Sequence, residues 1–270
     1  MNNHPYSVSI VTIVFNGAAH IEQTMQSVLH QTYAPIEYIV IDGGSTDGTL
    51  SVIDKYRYKI AYFISEPDSG IYDAINKGIS KATGSLIGLI HCGDYYELNA
   101  VSEAVAGFVS SGADIIYGDI NVIEEYEDKI ITIFKKSDHR NLKRNMSIFH
   151  PATFVSRQCY ARYGLYDPKF KSAADYDYFL KLYSSGVEFK HINKLLATFR
   201  AGGTSGSNFK LTAKENFTIR KNQIGKLNAI NYLMRNIIVC FYLSGRKWFV
   251  EKFIGKNNYI KLKKWYYSGN

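Results

Sequence analysis

Apolar and polar positions alternate between two periods along the first hundred residues. Val8–Val14, Ile36–Ile41, Ala61–Ser65 and Leu86–Ile90 are short runs rich in β-branched residues, the signature of buried strands. Between them lie stretches with helical spacing. Ala19–Gln31 places Ile21, Met25, Val28 and Leu29 on one face, and Thr49–Tyr56 and Ile71–Ala82 follow the later strands. Repeated strand–helix–strand units predict an α/β fold, a mostly parallel sheet flanked by helices. Ligands of such sheets bind beyond the carboxyl ends of the strands. The loops after Val14, Ile41, Ser65 and Ile90 are therefore where chemistry is expected.

The order changes after a helix at Asn99–Ser110. Short strands are predicted at Asp114–Tyr117, Asn121–Glu124 and Ile130–Phe134, followed by a basic loop over Lys135–Phe149. A strand at Ala152–Val155, a helix from Asp175 to Ser184 and a hairpin of Glu188–Ile192 with Leu195–Phe199 complete the pattern. The expected organisation is a catalytic domain over residues 1–215, with a donor-binding half before an acceptor-binding half, and a tail over 216–270. Arg200–Asn208, with the Gly, Ser and Thr of 202–208, reads either as a lid over the donor or as a solvated linker.

Composition narrows the class. At 46% apolar and 21% charged, the 270 residues belong to a folded protein. Three widely spaced cysteines (Cys92, Cys159, Cys240) form no disulfide framework and point to a reducing compartment. Neither a secretory signal nor an apolar run of membrane-spanning length is evident. The net charge of +8 is uneven. Residues 220–270 hold eleven Lys/Arg and one acid, Glu251. Ten aromatics interleave with those bases, and Asn228–Leu243 reads as an amphipathic helix. Basic plus aromatic suits an anionic membrane surface, or else a cap on the domain. A nucleic-acid role is not expected, because no recognisable module accompanies the tail.

The four strand-end loops carry distinctive residues. Phe15 and Asn16 follow the first strand. Asp42-Gly43-Gly44-Ser45-Thr46-Asp47-Gly48 follows the second: a carboxylate there could receive a base or ribose, or could organise an Asx turn and helix cap. Asp73, Asn76 and Lys77 lie within one turn of the third helix, which equally describes a solvated face. His91-Cys92-Gly93-Asp94 ends the fourth strand, and Asp94 could hold Mg²⁺ or Mn²⁺ against a diphosphate. No GxGxxG or GxxxxGK[ST] follows a strand.

Taken in order, VSIVTIVFNGAAHIEQTMQSVLHQTY, IEYIVIDGGSTDGT, ISEPDSGIYDAINKGISKATG, LIGLIHCGDYY, YGDI, HPATFVS and AADYDYFLKL resemble the inverting glycosyltransferases of GT-A fold, family 2, over roughly residues 6–205. The nearest subgroup is bacterial enzymes of polysaccharide or lipid-linked glycan assembly. The resemblance implies a nucleoside-diphosphate sugar donor, a divalent cation (Mn²⁺ or Mg²⁺) and a glycan or lipid-linked acceptor. It places Asn16 at the edge of the nucleotide pocket with Phe15, Asp42 and Gly43 on the base or ribose, and Asp73 and Asn76 along the donor. Asp94 after Gly93 matches the last carboxylate of the metal-binding triplet. Asp175 matches the general base, with Asp177 in support. By residue pattern alone, Asp175 also reads as an N-cap of the helix through Leu182, and Asp177 as a first-turn partner of the helix dipole. The loop HCGD departs from the family pattern in having one carboxylate, which leaves open whether His91 or His150 is a ligand. That departure also keeps a non-catalytic nucleotide-sugar scaffold as the alternative. A nucleotidyltransferase would need a basic loop after the first strand, which Phe15-Asn16-Gly17-Ala18 lacks. The implied location is cytoplasmic, peripheral on the inner membrane face.

Overall fold

The computed structural model describes residues 6–126, 129–202 and 208–235. The first half follows the predicted alternation: β1 (Val8–Val14), α1 (Ile21–Leu29), β2 (Ile36–Asp42), α2 (Thr49–Asp54), β3 (Tyr62–Ser65), α3 (Ile71–Lys81) and β4 (Leu86–Leu89). The four strands are parallel, in the order β3-β2-β1-β4. The order reverses at β1, so the crevice between the ends of β1 and β4 is a switch point of the kind at which α/β sheets bind ligands.

Side-chain alternation explains the two-sided core. On β1, Val8, Ile10 and Val14 join the cluster that packs α1 and α4. Val11 and Ile13 join the opposite cluster, beneath α3 and α6. On β2, Tyr38 and Val40 point one way and Ile39 and Ile41 the other. Strands buried on both faces read as continuous apolar runs.

The second half is less regular. After β5 (Tyr95–Tyr96) and α4 (Ala100–Ser111), the predicted strands at Asp114–Tyr117 and Asn121–Glu124 are one strand, β6 (Ile115–Tyr126), paired with β7 (Lys129–Lys135). β8 (Thr153–Ser156) lies antiparallel between β4 and β6. Helix α5 (Arg157–Tyr163), which apolar spacing did not announce, precedes α6 (Ala174–Ser184). The predicted hairpin is a correction. Phe189–Arg200 is a single strand, β9, that runs parallel to β6 through register shifts near Asp119 and then pairs with β5. Asn193-Lys194 interrupts the apolar pattern at that irregularity, which imitates a turn.

A last helix, α7 (Phe209–Ile224), packs on α6, so the boundary expected after 215 falls inside it. A further helical stretch runs from 226 to 235. The glycine-rich segment 203–207 and the aromatic part of the tail lie outside the described residues. No helix among the described residues is long and apolar enough to cross a membrane.

Candidate active site

The loops after β1 and β2 are laced together. Asn16 N donates to Ser45 Oγ (2.7 Å) and Thr46 N to Asn16 Oδ1 (2.9 Å). Gly17 N donates to Thr49 Oγ1 (2.9 Å) and Ala18 N to Asp47 Oδ2 (3.0 Å). Asn16 takes a positive φ of 48° to make both of its bonds, a conformation that Asn tolerates better than most residues. Asp42 is fully buried. Its Oδ2 accepts from Gly44 N, Ser45 N and Ser65 Oγ, and its Oδ1 from Ser45 Oγ. The structure thus gives Asp42 the loop-organising arrangement of an Asx turn, with both oxygens engaged inside the protein. Phe15 stands 64% exposed at the rim. At Gly43 a Cβ would sit 2.5 Å from Asp68 Oδ2, so a larger residue there would have to displace that carboxylate.

Helix α3 forms the next wall. Asp73 Oδ2 accepts from Ser69 N (3.0 Å) and lies 3.4 Å from Lys77 Nζ, which reaches Glu66 at 2.8 Å. Asn76 points elsewhere. Its amide nitrogen donates to Tyr166 O (2.8 Å) and its oxygen accepts from Tyr166 N (3.1 Å), a two-point clamp on another loop. Tyr166 in turn stacks on Tyr72, with centroids 5.9 Å apart.

Asp94 is buried at the end of β4. Gly93, at φ 100°, makes the turn that delivers it. Thr24 on α1 fixes that turn from behind: its Oγ1 accepts from Gly93 N (3.0 Å) and donates to Asp94 O (2.7 Å). Asp94 Oδ1 accepts from Arg200 N (3.0 Å), while Oδ2 faces His150 Nε2 at 3.7 Å. The neighbouring Cys92 thiol is pushed up to about 12, chiefly by burial, so it is an inert packing group.

Asp175 sits in the first turn of α6. Its Oδ1 accepts from Tyr72 Oη (3.1 Å) and from Tyr176 N (2.8 Å). Asp175, Tyr72, Tyr166, His91 and His150 line one cavity of about 40 Å³ with Leu89, Ile71 and Ile75. That is room for a water or a hydroxyl group and not for a nucleotide. Burial pushes both Asp94 and Asp175 above the usual carboxylate range, with His150 opposing the shift at each. His91 is depressed well below its ordinary value, first by burial and then by His150.

Asp177 is not brought to this cluster. Two residues further round the helix, its Oδ1 accepts from Gln223 Nε2 (2.7 Å) on α7. Sequence reasoning missed Thr24, Tyr72 and Glu215. Glu215 on α7 is buried and accepts from Lys171 N (2.8 Å), Ser172 N (2.9 Å) and Ala173 N (3.0 Å), at the entry to α6. Only their contacts across the fold mark the three.

Among the described residues no three His, Cys, Asp or Glu side chains are grouped to hold a metal ion unaided. The donor set nonetheless fits a cation that brings its own ligands. Among the described residues nothing donates a hydrogen bond to Asp94 Oδ2, and a hard cation on a diphosphate needs only one or two carboxylates from the protein.

Residues 9–163 match the family described as Glycosyl transferase family 2. An uncharacterized glycosyltransferase of Mycobacterium tuberculosis is 33% identical over 178 residues, 65% of this chain and 68% of that one. Chondroitin synthase of Pasteurella multocida is 28% identical over 244 residues, 86% of this chain but 25% of the synthase. In fold, the chain is similar to a mannosyltransferase from Pyrobaculum calidifontis in complex with GDP-Man and Mn²⁺, with TM-score 0.63 and 16% identity, covering 84% of this chain and 70% of that one.

Proposed function

Since this chain belongs to glycosyl transferase family 2 and has the GT-A fold, we propose that it transfers a sugar, with inversion, from a nucleoside-diphosphate donor to a hydroxyl of a glycan or lipid-linked acceptor. The observation that carries the reading is that His150 lines the cavity with Asp175 and faces Asp94, at the switch-point strand end, at 3.7 Å.

In this reading the nucleotide lies along the rim of the β1, β2 and β3 loops, beside Phe15 and Gly43, with Asp42, Asn16 and Asp73 shaping the rim from within, while Asn76 acts through its clamp on Tyr166. Asp94 Oδ2 holds the divalent cation, Mn²⁺ or Mg²⁺, against the diphosphate. Bound there, the cation neutralises charge developing on the leaving group. Asp175 Oδ1 is occupied by Tyr72 and Tyr176, so Oδ2 is the oxygen that takes the acceptor proton. As that proton leaves, the acceptor oxygen bonds to the anomeric carbon, and the bond from that carbon to the diphosphate breaks on the opposite face. A carboxylate raised by burial is a better base at neutral pH than an exposed one. Asp177 supports the base only through the helix, by its bond to Gln223.

Membrane contact through the tail belongs to the same proposal. On the stretch 226–235, Leu227, Ile230 and Met234 are exposed at helical spacing beside Lys226 and Arg235, where an anionic bilayer would receive both kinds of side chain. The catalytic unit then runs through α7, and the tail proper follows it.

The test is titration with UDP, GDP and dTDP, each with Mn²⁺ and with EDTA, alongside donor turnover by wild type and Asp175→Asn. Metal-dependent binding of a nucleotide, with turnover lost in Asp175→Asn, is the expected result. Binding without turnover in wild type would favour a nucleotide-sugar scaffold, and no binding by folded protein would reject the reading.

A further inference from the structure

We propose that His150 is the second protein ligand of the cation held by Asp94. The inference rests on the reading of Asp94 as the metal carboxylate and adds the partner that the single-carboxylate loop lacks.

His150 Nε2 is buried and has no hydrogen-bond partner among the described residues. Unpaired buried nitrogens are uncommon because their desolvation is not repaid, so each calls for a reason. It faces Asp94 Oδ2 at 3.7 Å, too long for a hydrogen bond. Two ligands each about 2.1 Å from a shared ion lie roughly 3–4 Å apart, and the observed separation falls in that interval. The oxygen is the right one. Oδ1 of Asp94 is committed to Arg200 N, and Oδ2 is the oxygen 3.7 Å from the imidazole.

The ring is also held in direction. His150 stacks on His91 with centroids 4.4 Å apart and planes 29° apart, and meets Phe199 edge-on at 6.3 Å. Pro151 stiffens the backbone that follows, in the 3-10 turn His150–Ala152 that leads into β8. These contacts fix the ring plane without engaging Nε2, which is how a preorganised ligand is supported. His91 serves as the platform for that stack.

A mixed N,O pair has a consequence for the metal. Mg²⁺ favours all-oxygen shells, whereas transition cations accept imidazole. The site should therefore bind Mn²⁺ more tightly than Mg²⁺ on the same nucleotide.

Pulsed electron paramagnetic resonance of Mn²⁺ bound to wild type with UDP or with GDP provides the test. The expected spectrum shows coupling to a directly bound histidine nitrogen, which changes isotope when the protein carries ¹⁵N-histidine. The coupling should persist in His91→Asn and vanish in His150→Ala, whose Mn²⁺ affinity should fall by about tenfold or more. Nitrogen coupling absent from the bound wild type, or surviving in folded His150→Ala, would overturn the inference while leaving Asp94 as the metal residue. Should His150→Ala fail to fold, the labelled wild type and His91→Asn still decide. Wild type that binds no Mn²⁺ with either nucleotide would overturn the metal reading itself, and this inference with it.

Discussion

The Tyr72 phenol donates to Asp175 Oδ1 at 3.1 Å, tying α3, from the donor half, to the first turn of α6. Tyr72 is itself held by the stack on Tyr166, which Asn76 clamps by its backbone. A hydrogen bond to the charged form of a carboxyl lowers its pKa. Tyr72→Phe should therefore raise the pKa of Asp175 and move the acid limb of the pH–rate profile to higher pH. Donor KM should stay near wild type. A purely structural role for Tyr72 would lower stability without moving that limb.

Asp175→Asn should reduce turnover by about 10²–10⁴-fold and leave nucleotide binding intact. It should also stabilise the fold at neutral pH. A carboxyl whose folded pKa is raised contributes stability at low pH that is lost as pH rises through the folded value. Near pH 7 the ionised side chain is therefore a cost that asparagine removes. Thermal unfolding at pH 7 and near pH 4 checks the sign: the gain in Tm should shrink as pH falls through the folded pKa towards the unfolded one.

Thr24→Val should weaken the metal loop from behind. It leaves Gly93 N and Asp94 O without their partner, at a cost of about 1–3 kcal/mol. Tm should drop, and the affinity for nucleotide with Mn²⁺ should fall, while binding in EDTA is unchanged. Equal weakening under both conditions would show that Thr24 supports the fold alone.

Asn76→Asp tests the clamp separately. Aspartate can still accept from Tyr166 N, but it cannot donate to Tyr166 O. Stability should fall by about 1–3 kcal/mol, and turnover should fall through displaced Tyr166 and Tyr72. If Asn76 instead contacts the donor directly, the change will appear chiefly in donor KM.

The first half of the fold was legible because β1, β4 and most of β2 are buried on both faces and each helix on one, so period and burial agree over most of Val8 to Lys81. The second half was harder. β6 and β9 change neighbours along their length, and an irregular strand with polar Asn193 and Lys194 carries the local pattern of two strands and a turn. Asp94 and Asp175, the residues proposed for the cation and the base, stand out in the sequence because a carboxylate follows a strand end or sits in a helix's first turn. Asp42 and Asn76 illustrate the limit. Their residue types suit a ligand, yet their hydrogen bonds run to Ser45, Ser65 and Tyr166, partners that lie up to 90 residues away. Thr24 and Glu215 act on backbone groups, which leave no trace in a side-chain pattern.

Glu215 has a bearing on which portion of the chain is portable. The family match ends at residue 163, before both Asp175 and α7. A fragment or chimera cut ahead of α7 would keep every recognisable motif yet strip the acceptor from three backbone N–H groups at the entry to α6. The segment that sets the helix of the proposed base is thus separated in sequence from the residues that identify the family. Swapping modules between relatives at a junction between α6 and α7 would join the helix of the proposed base to a foreign support, whereas a junction after Ile224 would transplant the two together.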